Sequence, residues 1–149
     1  MLGSDLLELL ELFRSKGVEF LVVGGHAVGF HGYPRLTDDL DLYVRPDASN
    51  GARIVEALSA FGFESLDLKA EDFEAKDRMV HLGRKPNRVD LLTEVYDVPF
   101  AEAWERRVPA SLDGVAVSMI SRDDLIRGKR ATGRPQDLAD ADALENLNR

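Results

Sequence analysis

Apolar residues recur at intervals of three and four near the start of the chain, at Leu6, Leu9, Leu10 and Phe13. That spacing predicts an amphipathic helix capped by Ser4 or Asp5 and ended by Gly17. The period then changes. Val18-Glu19-Phe20-Leu21-Val22-Val23 is a short, β-branched apolar run stopped by Gly24-Gly25, the pattern of a strand buried on both faces. Residues 26–31 read as a short helix closed by Gly32 and Pro34, and residues 39–44 alternate polar and apolar with period two, which predicts a second strand. Ile54, Val55, Leu58 and Phe61 predict another amphipathic helix over 47–61, with Gly62 as its stop. Two strands are expected near 78–82 and 88–93, on either side of the turn-forming Gly83-Arg84-Lys85-Pro86-Asn87. A helix around 99–107 carries the lone Trp104, and Asp113-Gly114 signals a hairpin within 108–118. Two helices close the chain, one capped by Ser121 with acids in its first turn, the other with Pro135 near its start.

Helices and strands interleave without a repeat or a linker. The expected class is α/β (α+β), a single domain over residues 1–149 built on one mixed β-sheet flanked by helices. Composition agrees: 149 residues with 44% hydrophobic and 31% charged suit one core of ordinary size. With no cysteine, disulfides, thiolate metal sites and a cysteine nucleophile are excluded. The first thirteen residues carry acids and helical spacing where a leader would carry a basic segment and an apolar block. No run approaches the roughly 18 apolar residues of a membrane span. The expected location is the cytoplasm, with no membrane partner.

Charge narrows the chemistry further. Nineteen basic residues stand against 27 acidic, for a net charge of −8, so phosphate contacts must come from a local patch. The densest basic cluster is Arg122, Arg127, Lys129, Arg130 and Arg134.

Asp39 and Asp41 are the most informative pair. On a strand, residues i and i+2 share a face with Cα atoms about 6.5–7 Å apart, so these carboxylates aim at one region while Leu40 and Leu42 point to the core. Two such acids repel each other, and a hard divalent cation such as Mg²⁺ or Mn²⁺ relieves the repulsion. Gly24 and Gly25, between a strand and a short helix, offer bare backbone N–H groups suited to phosphate. Alone, the Asp pair reads as exposed edge charge and the glycines as a simple turn. Together, within one short unit, they describe a site for a metal-bound nucleoside triphosphate.

The run Gly24-Gly25, thirteen residues, then Asp39-Leu40-Asp41 resembles the first motif of the DNA polymerase β-type nucleotidyltransferase superfamily. More narrowly, residues 24–44 resemble the small bacterial nucleotidyltransferase-like proteins grouped with the AbiEii/AbiGii-type toxins. A later stretch, Lys129 followed by Arg134-Pro135-Gln136-Asp137-Leu138-Ala139-Asp140, is similar to a second motif of that group. The resemblance implies a nucleotidyltransferase fold and a third carboxylate on a neighbouring strand, matched here by Asp90 in Arg88-Val89-Asp90-Leu91-Leu92. It implies Asp39, Asp41 and Asp90 as metal ligands, with Asp90 either a ligand or the base, and Lys129 as a catalytic phosphate contact. It implies NTP as substrate, an RNA end such as the tRNA 3′ terminus or a protein as acceptor, and a cognate antitoxin protein as partner. The superfamily motif commonly reads Gly-Ser, and Gly25 departs from it by lacking the hydroxyl.

Further residues have candidate roles. Gly24, Gly25 and Arg35 are expected to bind the triphosphate. Arg127, Lys129, Arg130 and Arg134 form the candidate RNA grip, with Arg84, Lys85 and Arg88 as a second patch. His26, His31 and His81 are read as structural, Thr37 as shaping the loop into the second strand, and Asp38 as facing away from its neighbours. Asp137 and Asp140 are expected to pair with Arg134 or Lys129 and hold the last helices together. The rival readings are an antibiotic- or protein-modifying nucleotidyltransferase, a non-catalytic binding subunit and a metal-dependent nuclease. The intact set of three Asp residues argues against the non-catalytic reading.

Overall fold

A computed structural model of the chain describes residues 3–34, 37, 39–62, 67–83 and 88–147. The elements run α1 (Ser4–Ser15), β1 (Phe20–Val23), α2 (Gly24–Phe30), β2 (Asp39–Val44), α3 (Ala48–Phe61), β3 (Met79–Leu82), β4 (Arg88–Leu92), α4 (Phe100–Glu105), β5 (Val108–Leu112), β6 (Val115–Met119), α5 (Arg122–Thr132) and α6 (Pro135–Asn146). A short 3₁₀ turn at Ala70–Phe73 lies between α3 and β3. The six strands make one mixed sheet in the order β3-β4-β2-β1-β6-β5, flanked by helices.

Register divides the sheet chemically. β2 runs parallel to β4, pairing Asp39 with Arg88 and Asp41 with Asp90, and antiparallel to β1, pairing Asp41 with Val23. β3 and β4 are antiparallel, with His81 opposite Asp90 and Leu82 opposite Val89. One face therefore carries Leu40, Leu42, Val89, Leu91 and Leu82, all buried. The other carries Asp39, Asp41, Arg88, Asp90 and His81. The period-two pattern of β2 is the sequence cause of that division.

The apolar face packs on α1, whose Phe13 meets Phe20 of β1 edge to face. Leu6, Leu9, Leu10 and Phe13 are buried as their spacing requires. The start of α1 differs from expectation. Gly3 occupies the cap position without a side-chain bond, so neither Ser4 nor Asp5 caps the helix. Ser121 caps α5 as expected, accepting the Asp124 amide, while Asp47, expected inside a helix over 47–61, instead caps α3 by accepting the Asn50 amide. The 3₁₀ turn, which no periodicity announced, buries Phe73 and lies against α3 at Gly51, where any Cβ would strike the Ala70 carbonyl. Asp113 and Gly114 both take positive φ between the paired Leu112 and Val115, the turn that a two-residue hairpin requires.

Candidate active site

The polar face of β2 and β4 is assembled by register and finished by one glycine. Gly24, which follows β1 and opens α2, sits beside Asp41 with φ of +69°, and a Cβ there would fall inside the Asp41 carboxylate. Only glycine both adopts that φ readily and leaves room for the acid. Gly25 is equally constrained, since a Cβ would lie 2.9 Å from the Thr37 Cβ. Thr37 donates its hydroxyl to the Asp39 carbonyl at 3.1 Å, which ties the loop to the first residue of β2.

The three carboxylates are not equivalent. Asp90 is buried; His81 Nδ1–H donates to its Oδ1 at 2.6 Å and Arg88 Nη2 to its Oδ2 at 3.1 Å. Burial alone would raise the Asp90 carboxyl, but the His81 and Arg88 contacts outweigh it and hold the group below its usual range. Arg88 also reaches Asp39 Oδ2 at 3.1 Å, so its guanidinium bridges two of the acids. Asp41 has the opposite environment. Burial, then the charge and hydrogen bond of Asp90, then the charge of Asp39, push its carboxyl up to about 6, with Arg88 pulling the other way. The cluster thus carries more negative charge than its single guanidinium offsets.

Among the described residues no group of three or more His, Asp or Glu side chains is spaced ready for a metal ion. The donor chemistry nonetheless fits one. Asp39, Asp41 and Asp90 supply only hard oxygen atoms, and the raised Asp41 carboxyl marks a place where added positive charge is favourable.

Asp39 and Asp41 open onto a cleft of about 950 Å³ whose wall also includes Gly24, Gly25 and Thr37, with Asp90 paired to Asp41 on the adjacent strand. Helix α5 lines it with Leu125, Gly128, Lys129 and Thr132, one helical stripe at i, i+3, i+4 and i+7. Lys129 therefore shares the cleft with the acids of β2. Its ammonium donates to Asp137 Oδ1 and Asp140 Oδ2, each at 3.1 Å, which joins α5 to α6 as the pairing of those acids predicts. Thr132 Oγ1 donates to Asp137 at 2.7 Å and Arg134 Nε to the same oxygen at 2.9 Å. Burial would raise Asp137, but the Thr132 hydroxyl and Lys129 hold it low.

The rest of the basic cluster is likewise paired: Arg127 with Asp97, Arg130 with Asp142 and Glu145, and Arg122 with Asp123 and the Leu144 carbonyl. The expectations for Arg35, Asp38, Arg84 and Lys85 fall outside the described residues. His31 is structural as expected, its Nε2 lying 2.7 Å from the Ile120 carbonyl oxygen. His26 sits half-buried in α2, where burial lowers its pKa.

His81, read as structural, has a partner that the sequence did not indicate. No ligand-like spacing singled it out, yet β3 places it directly on Asp90. Arg88, read only as rim charge, sits inside the carboxylate cluster. The alternation Arg88-Val89-Asp90 was the one available signal, since it puts both side chains on one strand face.

Residues 4–148 match the family described as nucleotidyltransferase of unknown function (DUF6036). Among solved structures, the chain is similar to an antigenic nucleotidyltransferase-like protein from Paracoccidioides brasiliensis, with a TM-score of 0.53 and 17% sequence identity. The likeness covers 98% of this chain and 78% of that one, and at this identity it bears on the fold alone. The comparison with curated proteins gives no match.

Proposed function

We propose, from the premise that the chain belongs to this family of nucleotidyltransferases of unknown function, that its cleft binds a nucleoside triphosphate and transfers the nucleotidyl group to an acceptor hydroxyl. The observation that carries the reading is the convergence of Asp39, Asp41 and Asp90, from two parallel strands, on the sheet face beside the glycine turn. In the reaction the acceptor oxygen forms a bond to the α-phosphorus, the bond from that phosphorus to the β-bridging oxygen breaks, and pyrophosphate leaves. Asp39, Asp41 and Asp90 would hold Mg²⁺ or Mn²⁺, which when bound neutralises charge on the phosphates and on the attacking oxygen. The chain's own part is positioning. Gly24 and Gly25 line the cleft beside the acids of β2, and α5 and the residue that caps α6 line it with Lys129 and the exposed guanidinium of Arg134. Asp90 is held in one orientation by His81 and Arg88, as a ligand or as the acceptor of the hydroxyl proton.

The acceptor follows from two features that pull apart. Lys129, Thr132, Arg134 and Asp137 line the cleft, and the resemblance of residues 129–140 to toxin-like enzymes that modify RNA ends would imply an RNA acceptor, a toxin role and an antitoxin partner. The acid-paired cations favour a protein acceptor. Incubation with each of four α-³²P-labelled NTPs, Mg²⁺ and a cell extract tests the reading. Expected is label on one macromolecular class, with pyrophosphate release, lost at least a hundredfold in Asp41→Asn. Failure of the wild-type protein to bind any NTP would sink it. Binding without transfer to anything would favour the non-catalytic subunit.

A further inference from the structure

We infer that Tyr96 is the surface on which the nucleobase stacks, presented by a turn over residues 95–98 that the fold immobilises for it. The inference rests on the reading that the cleft takes a nucleoside triphosphate, and it names which wall receives the base.

Tyr96 is 55% exposed, the most exposed large apolar side chain among the described residues, and it lines the same cleft as Gly24, Asp39 and Asp41. Its neighbours in the chain are tied down. The Val98 amide closes the turn on the Val95 carbonyl at 3.1 Å, and the Val98 carbonyl accepts the buried Tyr43 hydroxyl at 2.7 Å. Asp97 takes a positive φ of 62° and accepts from Arg127 Nε at 3.1 Å in an exposed ion pair. Helix α5 makes room for the turn with Gly128, where a Cβ would lie 2.8 Å from Val95 Cγ1. The Val98–Val95 hydrogen bond, the Tyr43 hydroxyl on the Val98 carbonyl and the close approach at Gly128 fix this turn, and more than half of the side chain at its tip is exposed. An exposed aromatic ring on a fixed turn at the wall of a polar cleft is suited to stacking on a planar ligand group.

The cleft is divided in the way a nucleotide is divided. Its carboxylates, glycine amides and cations suit phosphates and their counter-ions. Tyr96, with the 51% exposed Met79 also on the wall, supplies apolar surface and a π-face. Leu92, which pairs with Met79 and lines the cleft, lies two residues beyond Asp90 along β4, about 7 Å up the strand, so the apolar part of the wall begins beyond the carboxylates. Stacking is tolerant of base identity because every base has a π-face, so Tyr96 would set affinity and leave the choice of base to other contacts.

The test uses the whole chain with Mg²⁺ and compares ATP with inorganic tripolyphosphate by calorimetry. Tyr96→Ala should raise the Kd for ATP about 5- to 150-fold, the range found for loss of one base–aromatic stack. Tyr96→Phe should stay within about twofold of wild type, and all three proteins should bind tripolyphosphate equally. Unchanged ATP binding in Tyr96→Ala would overturn the inference. So would equal weakening toward ATP and tripolyphosphate, which places the loss at the phosphates, or a Phe variant as weak as the Ala variant, which assigns the contact to the hydroxyl. If wild type binds neither probe, the proposed function itself fails, a result distinct from these three.

Discussion

The charge on Asp41 is the feature of single residues with the widest consequences. Its carboxyl is raised to about 6 from an ordinary value of 3.8, first by burial and then by Asp90 and Asp39. A group whose folded pKa lies above its unfolded one contributes stability that is complete below the unfolded value and is lost as pH rises through the folded value. The wild-type protein should therefore lose stability between about pH 4 and pH 6 on this account. Asp90 and Asp137, both held low, act oppositely: their contribution is present above the ordinary carboxylate range and lost below about pH 4. The two windows do not overlap. Asp41→Asn should remove the first slope and, in metal-free buffer at pH 7, stabilise the fold by of order 1 kcal/mol, or about 2–4 °C in Tm. Melting curves of both proteins across pH 3.5–8 check this. A gap in Tm that stays constant with pH would show that Asp41 is not the strained group. Asp39→Asn is a different experiment, because Asp39 already has the Arg88 guanidinium at 3.1 Å.

Among the elements, features local to one strand are legible in the sequence, and features that depend on how two strands pair are not. Asp39–Val44 emerges with its expected bounds because period-two alternation is local, and the same alternation puts Asp39 and Asp41 on one face. The contact between His81 and Asp90 depends on how β3 and β4 slide past each other, a quantity with no signature in either strand alone. The bridging of Asp39 and Asp90 by Arg88 needs the parallel pairing of β2 with β4, which is equally non-local. Phe73 was missed for a related reason: a lone aromatic in an acidic stretch has no period, and its burial rests on Gly51 letting the 3₁₀ turn touch α3.

Asn50 shows the same rule for a buried polar group. Read as part of an amphipathic helix, it is fully buried, accepts the Glu19 amide at 2.8 Å and donates to the Glu19 and Arg45 carbonyls at 3.0 and 3.1 Å. It thereby fastens the entry to β1 and the exit of β2 to α3. Asn50→Ala would leave those backbone groups without their partner, a loss of about 2–3 kcal/mol, or about 5–10 °C in Tm. Thermal denaturation measures it. The pH dependence assigned to Asp41 should survive in this variant, since the two sites share no contact. A loss below 0.5 kcal/mol would mean that water replaces the amide.

At the scale of the whole molecule, the distribution of charge bears on the acceptor. The chain carries −8 overall, and each cation of the candidate RNA grip already faces an acid: Arg127, Lys129, Arg130 and Arg134 pair with Asp97, Asp137, Asp140, Asp142 and Glu145. Arg88, from the second patch, is engaged by Asp39 and Asp90. A phosphate backbone would have to displace these carboxylates one by one while approaching a negative surface. Exposed pairs such as Arg127 with Asp97 yield at little cost, of order 0–1 kcal/mol, whereas Lys129 is only 12% exposed between two acids and does not. Few phosphates can then be neutralised at once. For a fluorescent single-stranded RNA of about 20 nucleotides, the slope of log affinity against log salt should be shallower than about −2, given roughly −0.7 per phosphate for single strands. Arg127→Ala and Arg130→Ala should each flatten it further by at most one phosphate's worth, and Lys129→Ala should leave it unchanged. A slope steeper than about −4 would show an RNA path that these cations do not account for, and it would return the acceptor to nucleic acid. A shallow slope, together with label transferred from NTP to a co-expressed protein, would assign the acceptor to the protein class while the carboxylate chemistry stands as proposed.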